Sequence, residues 1–166
     1  VRGAVYGAVG RGATAVELGN GGCGDWTVAN TGDLSISMAG SGSVRAGTSS
    51  SLDVSVAGSG EVRAGATLNL DVSIAGSGDV WVAEANGPVD VSIAGSGDVI
   101  VAGGQVGAVD VSIAGSGDVD IRTTVASVDA SIMGSGDVHV AGVTGRVERA
   151  VMGSGSITIG ERTYER

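Results

Sequence analysis

The phrase Val-Ser-Ile-Ala-Gly-Ser-Gly-Asp-Val stands intact at 72–80, 91–99 and 111–119, with looser copies at 36–44, 54–62, 130–138 and 151–157. With the first glycine of each Gly-Ser-Gly as origin, the marks are Gly40, Gly58, Gly76, Gly95, Gly115, Gly134 and Gly153, in steps of 18, 18, 19, 20, 19 and 19 residues. A degenerate copy, Gly22-Cys23-Gly24-Asp25, lies 18 residues before Gly40 and brings the count to eight units. A chain built from one reiterated unit has few folds open to it, because each unit must bury its apolar side against the next copy.

Within a unit the apolar residues alternate with polar ones, which is the strand period. Positions −6, −4 and −2 carry Leu70, Val72 and Ile74 in one unit and Val89, Val91 and Ile93 in the next. A second alternation follows the glycine corner, with Val80 and Val82 on the inner side and Asp79 and Trp81 on the outer. A third segment closes the unit and holds the length variation and the single proline, Pro88. No stretch has helical periodicity.

These features predict an all-β fold: a single-stranded parallel β-helix (β-solenoid) of about eight turns of 18–20 residues. Right-handed winding is expected from the crossover preference. At 4.8 Å per turn the rod is roughly 38 Å long. A β-propeller blade needs about 40 residues, twice the unit found here. The predicted boundaries are 1–15 for an N-terminal cap or decayed turn, 16–160 for the solenoid and 161–166 for a charged tail.

The 166 residues form one domain with a thin aliphatic core, there being no Phe, two Trp and two Tyr. The formal charge of −9 argues against nucleic acid as a partner. No apolar run is long enough to span a membrane. The first residue is Val1, and no signal peptide is visible, as expected of a piece trimmed from a longer precursor. A lone cysteine, Cys23, excludes an internal disulfide.

The acids fall into two rows. Position −5 holds Glu17, Asp53, Asp71, Asp90, Asp110, Asp129 and Glu148; position +3 holds Asp25, Glu61, Asp79, Asp98, Asp118 and Asp137. Stacked like charges repel, so each row needs an offset. Solvent and salt screening supply one, and corner N–H groups bonding the +3 carboxylates supply another. The alternative is a row of Ca²⁺ ions on Asp79, Asp98, Asp118 and Asp137, since hard oxygen donors suit that ion.

A serine row, including Ser73, Ser92 and Ser112, runs beside Asp71, Asp90 and Asp110. This Asp-x-Ser face is a candidate surface for a repetitive ligand such as a glycan, a polymer or ice, and equally a plain soluble strand face. Position +5 is variable: Thr27, Arg45, Arg63, Trp81, Ile100, Asp120, His139 and Thr158. There Trp81 and Ile100 are expected to form a small exposed apolar patch.

Catalytic chemistry finds little support. His139 is the single histidine, so no zinc cluster or Ser-His-Asp set assembles. Gly-Ser-Gly is not the Gly-x-Ser-x-Gly elbow. Gly19-Asn20-Gly21-Gly22-Cys23-Gly24 matches Gly-x-Gly-x-x-Gly but lacks the strand-to-helix context of a dinucleotide site. The carboxylates recur at every rung, whereas a glycosidase needs one distinct pair. The end units break the inward pattern with Asn20 at −2 and Arg149 at −4, which read as caps.

The reiterated phrase resembles the repeat of the head GIN domain family of auto-transporter adhesins, over about residues 34 to 159. Ala replaces the family's frequent Ser before Gly-Ser-Gly, and Met does so at Met133 and Met152. The resemblance implies a bacterial β-solenoid exported to the periplasm or cell surface, without enzyme activity; no cofactor is expected, and an unidentified surface ligand, glycan or protein, is the expected partner. Calcium-binding solenoids are similar in repeat length, but their Gly-Gly-x-Gly-x-Asp spacing is absent. Polymerising bactofilin-like solenoids are an analogy of architecture and leave monomer or homo-oligomer open.

Overall fold

A computed structural model describes residues 7–9, 13–160 and 162–164, with side chains for 13–160. It is a parallel β-solenoid of about eight turns. The first strand of each turn is supplied by β2 (Ala15–Asn20), β4 (Asp33–Met38), β6 (Ser49–Gly58), the second half of β7 (Glu61–Gly76), β9 (Val89–Gly95), β11 (Ala108–Gly115), β13 (Ser127–Gly134) and β15 (Val147–Gly153). The second strand is supplied by β1 (Gly7–Val9), β3 (Asp25–Val28), β5 (Ser43–Ala46), the first half of β7, β8 (Asp79–Ala85), β10 (Val99–Val101), β12 (Val119–Val125), β14 (Val138–Val143) and β16 (Ile157–Ile159). The final strand, β17 (Arg162–Tyr164), turns back antiparallel on β16.

Every turn pairs with the next in the register set by the repeat. Leu70, Val72 and Ile74 lie over Leu52, Val54 and Val56 and under Val89, Val91 and Ile93. These inward columns are sealed from solvent. Each such side chain contributes about 1.5–3 kcal/mol by leaving water. β-branched residues suit the role, because they pack well on a pleated surface.

The two glycines of the corner answer different demands. Gly76 has φ 141°, a region closed to side chains, and a Cβ there would also meet the carbonyl oxygen of Gly58. Gly97, the second glycine of its motif, has no such φ, but a Cβ would sit 2.8 Å from Ile74 Cγ2 and crowd the Gly78 carbonyl. The first glycine is required by conformation and the second by space.

The third side absorbs the differences in turn length. Val62 pairs with Val80, Val80 with Val99 and Val99 with Val119, so steps of different length still stack the same corner. The surplus residues lie between strands around Asn86–Pro88 and Ala102–Gly107. A register shift between Ile121 and Thr124 serves the same end. This side also sends Thr67, Ala85, Val106 and Val125 into the core. The sequence pattern, built on two alternations, did not place these four.

Of the predicted N-terminal segment, Gly7–Val9 lies in parallel register beneath Trp26–Val28. Residues 1–6 and 10–12 lie outside the described residues, as do Glu161, Glu165 and Arg166 of the tail. At the two ends the inward exceptions behave differently. Asn20 is buried under Met38, its Nδ2 donating to Gly24 O at 2.8 Å and its Oδ1 accepting the Gly22 N–H at 3.2 Å. Arg149, on the last first-strand rung, is exposed and in register with Ala130.

Candidate functional site

The +3 acids point outward at the corner, where each turn leaves backbone N–H groups free of the strand ladder. Asp98 N–H donates to Asp79 Oδ1 at 3.2 Å, Asp118 N–H to Asp98 Oδ1 at 3.0 Å, and Asp137 N–H to Asp118 Oδ1 at 2.8 Å. Ser156 closes the row, giving both its N–H and its hydroxyl to Asp137 Oδ1, at 2.8 and 2.9 Å. Each carboxylate is therefore held by the amide of the following turn and not by its own corner. Aspartate has the right reach for one turn spacing. Where the row carries Glu61 instead, the carboxylate pairs with Arg63, and the amide above, Asp79 N–H, goes to Gly60 O at 3.1 Å.

The −5 acids stand on the outer face of the first strand, stacked Asp53, Asp71, Asp90, Asp110, Asp129 and Glu148 in direct register. Among the described residues no donor relieves Asp71 or Asp110. Partial desolvation raises the pKa of Asp71, and the charges of Asp90 and Asp53 raise it further. Asp110 is raised by the same desolvation and by Asp90 and Asp129. Shallow grooves of about 430 and 270 Å³ follow this corner. At the last rung Arg146 pairs with Glu148.

Beside that row the sheet face is flat and uniform. Ser73, Ser92 and Ser112 stack in register, flanked by Asp71, Asp90 and Asp110 on one side and by Ala75, Ala94 and Ala114 on the other. All nine side chains are exposed. The alanine row runs on into Met133 and Met152, which are in register and 55% and 63% exposed.

The +5 residues form one column, Arg45, Arg63, Trp81, Ile100, Asp120, His139 and Thr158, each in register with the next. Trp81 is 39% exposed and Ile100 half-buried beside it. The two do more than form a patch. With Val80 they floor a groove of about 310 Å³, walled by Asp79 and Asp98 and closed at one end by Glu61 and Arg63. Further along, Arg122 Nε donates to Asp120 Oδ2 at 2.7 Å. The apolar pair was legible in the sequence, as was Asp79 two residues before Trp81 on the same strand face; that these rows enclose a groove was not, because its shape depends on how neighbouring rungs stack.

The remaining predicted features are scattered. His139 is an exposed member of the +5 column, and Cys23 lies exposed in the first corner of the Gly19–Gly24 run. Among the described residues no three His, Cys, Asp or Glu side chains group as metal ligands. Nor, among those residues, is any helix long and apolar enough to cross a membrane.

Comparison with curated proteins and with solved structures finds no match. One family model matches, twice, over residues 7–105 and 66–162. The two matches overlap through the middle turns, as a repeat allows when one register serves as well as another. Together they run from the first described strand to the last. The chain belongs to the family described as putative auto-transporter adhesin, head GIN domain.

Proposed function

We propose that this chain is a non-enzymatic, surface-presented adhesion domain acting outside the cytoplasm, and that it holds a repetitive ligand on its Asp–Ser–Ala face. One observation carries the reading: Asp71, Ser73 and Ala75 recur as Asp90, Ser92 and Ala94 and again as Asp110, Ser112 and Ala114, in register and all exposed. The resulting lattice repeats at about 4.8 Å along the rod and about 7 Å across it. A ligand with its own repeat meets the same acceptors and hydroxyls at each step, so weak contacts accumulate. The family description supports adhesion. The uniformity of the rungs supports binding over catalysis, since a hydrolytic pair needs two carboxylates in unlike environments.

A glycan array and a pull-down on cell-surface material test the reading. The wild-type chain is expected to retain a polymeric ligand. A variant with Ser73→Gln, Ser92→Gln and Ser112→Gln keeps the charge and disturbs the lattice, and it is expected to lose that ligand. Retention by the variant equal to wild type would remove the face from consideration.

A further inference from the structure

We propose that the Trp81 groove is a second binding site, for a cationic side chain (arginine or lysine) of a peptide or protein partner. The groove lies at the corner between the +3 and +5 rows, away from the Asp–Ser–Ala face. Its floor is apolar, Trp81 beside Ile100 across one ladder step. Its walls are Asp79 and Asp98, and its end is Glu61 with Arg63.

The charges decide the occupant. Three carboxylates and one guanidinium line the groove. Arg63 Nε is bonded to Glu61, so those two largely offset one another and leave Asp79 and Asp98 uncompensated. Each of these two has one oxygen, Oδ1, fixed by the amide of the next turn. That bond orients the carboxylate, and among the described residues Oδ2 has no protein donor. An aromatic face attracts a cation through its quadrupole, and the free carboxylate oxygens accept from the same group. Arginine satisfies both demands at once, with a planar guanidinium that stacks and forks. The chain's own Arg63, one rung from Trp81 in direct register, already shows the pairing with a +3 acid. An anion is repelled here, and a neutral sugar would use the indole but leave the charge unanswered.

A single exposed groove of this size gives modest affinity, which multivalent display raises. The test titrates the full chain with a capped Gly-Arg-Gly-Arg-Gly peptide, its Gln counterpart and a neutral oligosaccharide. Calorimetry reads binding, and indole emission reads engagement of Trp81. Only the Arg peptide is expected to bind, more weakly as NaCl rises. Trp81→Ala is expected to cost about tenfold in affinity. Asp79→Asn with Asp98→Asn is expected to cost at least as much with little change in melting temperature, because Asn keeps the Oδ1 acceptor. Arg63→Gln is expected to tighten binding several-fold by freeing Glu61.

Peptide binding that survives Trp81→Ala but vanishes with Asp71→Asn, Asp90→Asn and Asp110→Asn would place the peptide on the −5 row and overturn the proposal. So would Trp81-dependent capture of the oligosaccharide with no response to the Arg peptide. The serine variants of the flat face leave this groove intact, so the two readings fail separately.

Discussion

The backbone N–H of Asp118 donates to Oδ1 of Asp98 at 3.0 Å, across a separation of 20 residues in sequence and one turn in space. Asp118 in its turn accepts from Asp137 at 2.8 Å. The row of like charges is thus also a row of acceptors, and its repulsion is offset rung by rung. Replacing Asp118 by Ala leaves the Asp137 amide to water, and the expected loss is about 1 kcal/mol. Asp118→Asn keeps the acceptor and removes a charge, and it is expected to be neutral or slightly stabilising. Urea melts of the two variants check this; equal destabilisation by both would mean that the charge and not the acceptor matters.

Among the described residues Asp71 and Asp110 of the −5 row have no such relief, and their effect on stability has a definite sign. A carboxyl whose pKa is raised in the folded state binds more protons folded than unfolded, so stability falls as pH rises. For Asp71 and Asp110 the penalty is absent below the ordinary aspartate value of 3.8 and complete above the raised folded value. Neutral pH is therefore the costly side for these two groups. Asp71→Asn and Asp110→Asn are each expected to stabilise by about 0.2–1 kcal/mol at pH 7 and low salt. The gain is expected to shrink as NaCl screens the row. Thermal melts at pH 7 and pH 4 with and without salt measure this; a variant less stable than wild type at pH 7 would contradict it.

The two corner glycines differ in cause but not in importance. Gly76→Ala forces a side chain into φ 141° and against Gly58, while Gly97→Ala presses on Ile74 and Gly78. Each is expected to cost about 1–3 kcal/mol. Ser96, between Gly95 and Gly97, is exposed, and its backbone N–H donates to Gly76 O at 2.8 Å. Ser96→Ala is expected to stay within about 0.5 kcal/mol of wild type. Chemical denaturation separates the three, and a tolerated Gly97→Ala would show that the turns can spread.

The antiparallel strand β17 covers the edge of β16 at one end of the rod. An uncovered parallel edge invites another copy. The full chain is expected to be monomeric by light scattering, and a chain ending at Gly160 is expected to associate in a concentration-dependent way. A truncated chain that stays monomeric would assign edge protection to something other than β17.

How much could be read from the residues alone depended on distance along the chain. Leu70, Val72 and Ile74 face inward because a strand alternates, a property of consecutive residues, and Gly76 turns the chain because of its own φ. Both were legible, as was the family likeness carried by the phrase around them. Thr67 and Val106 were not, because the third side varies in length and its alternation is broken. Trp81 and Ile100 were legible as neighbours from the period alone.

The sequence by itself determined the unit, its period, the inward columns, the two acidic rows and the outward slot of Trp81. These follow from local conformation and repetition, which need no knowledge of what lies above or below. Only the tertiary structure decided that the +3 aspartates are bonded by the next turn while, among the described residues, Asp71 and Asp110 have no donor, and that Glu61, Asp79 and Asp98 wall the Trp81 groove. Those outcomes rest on how one turn sits on another. A period in residues fixes which rungs meet, but not which oxygen reaches which amide.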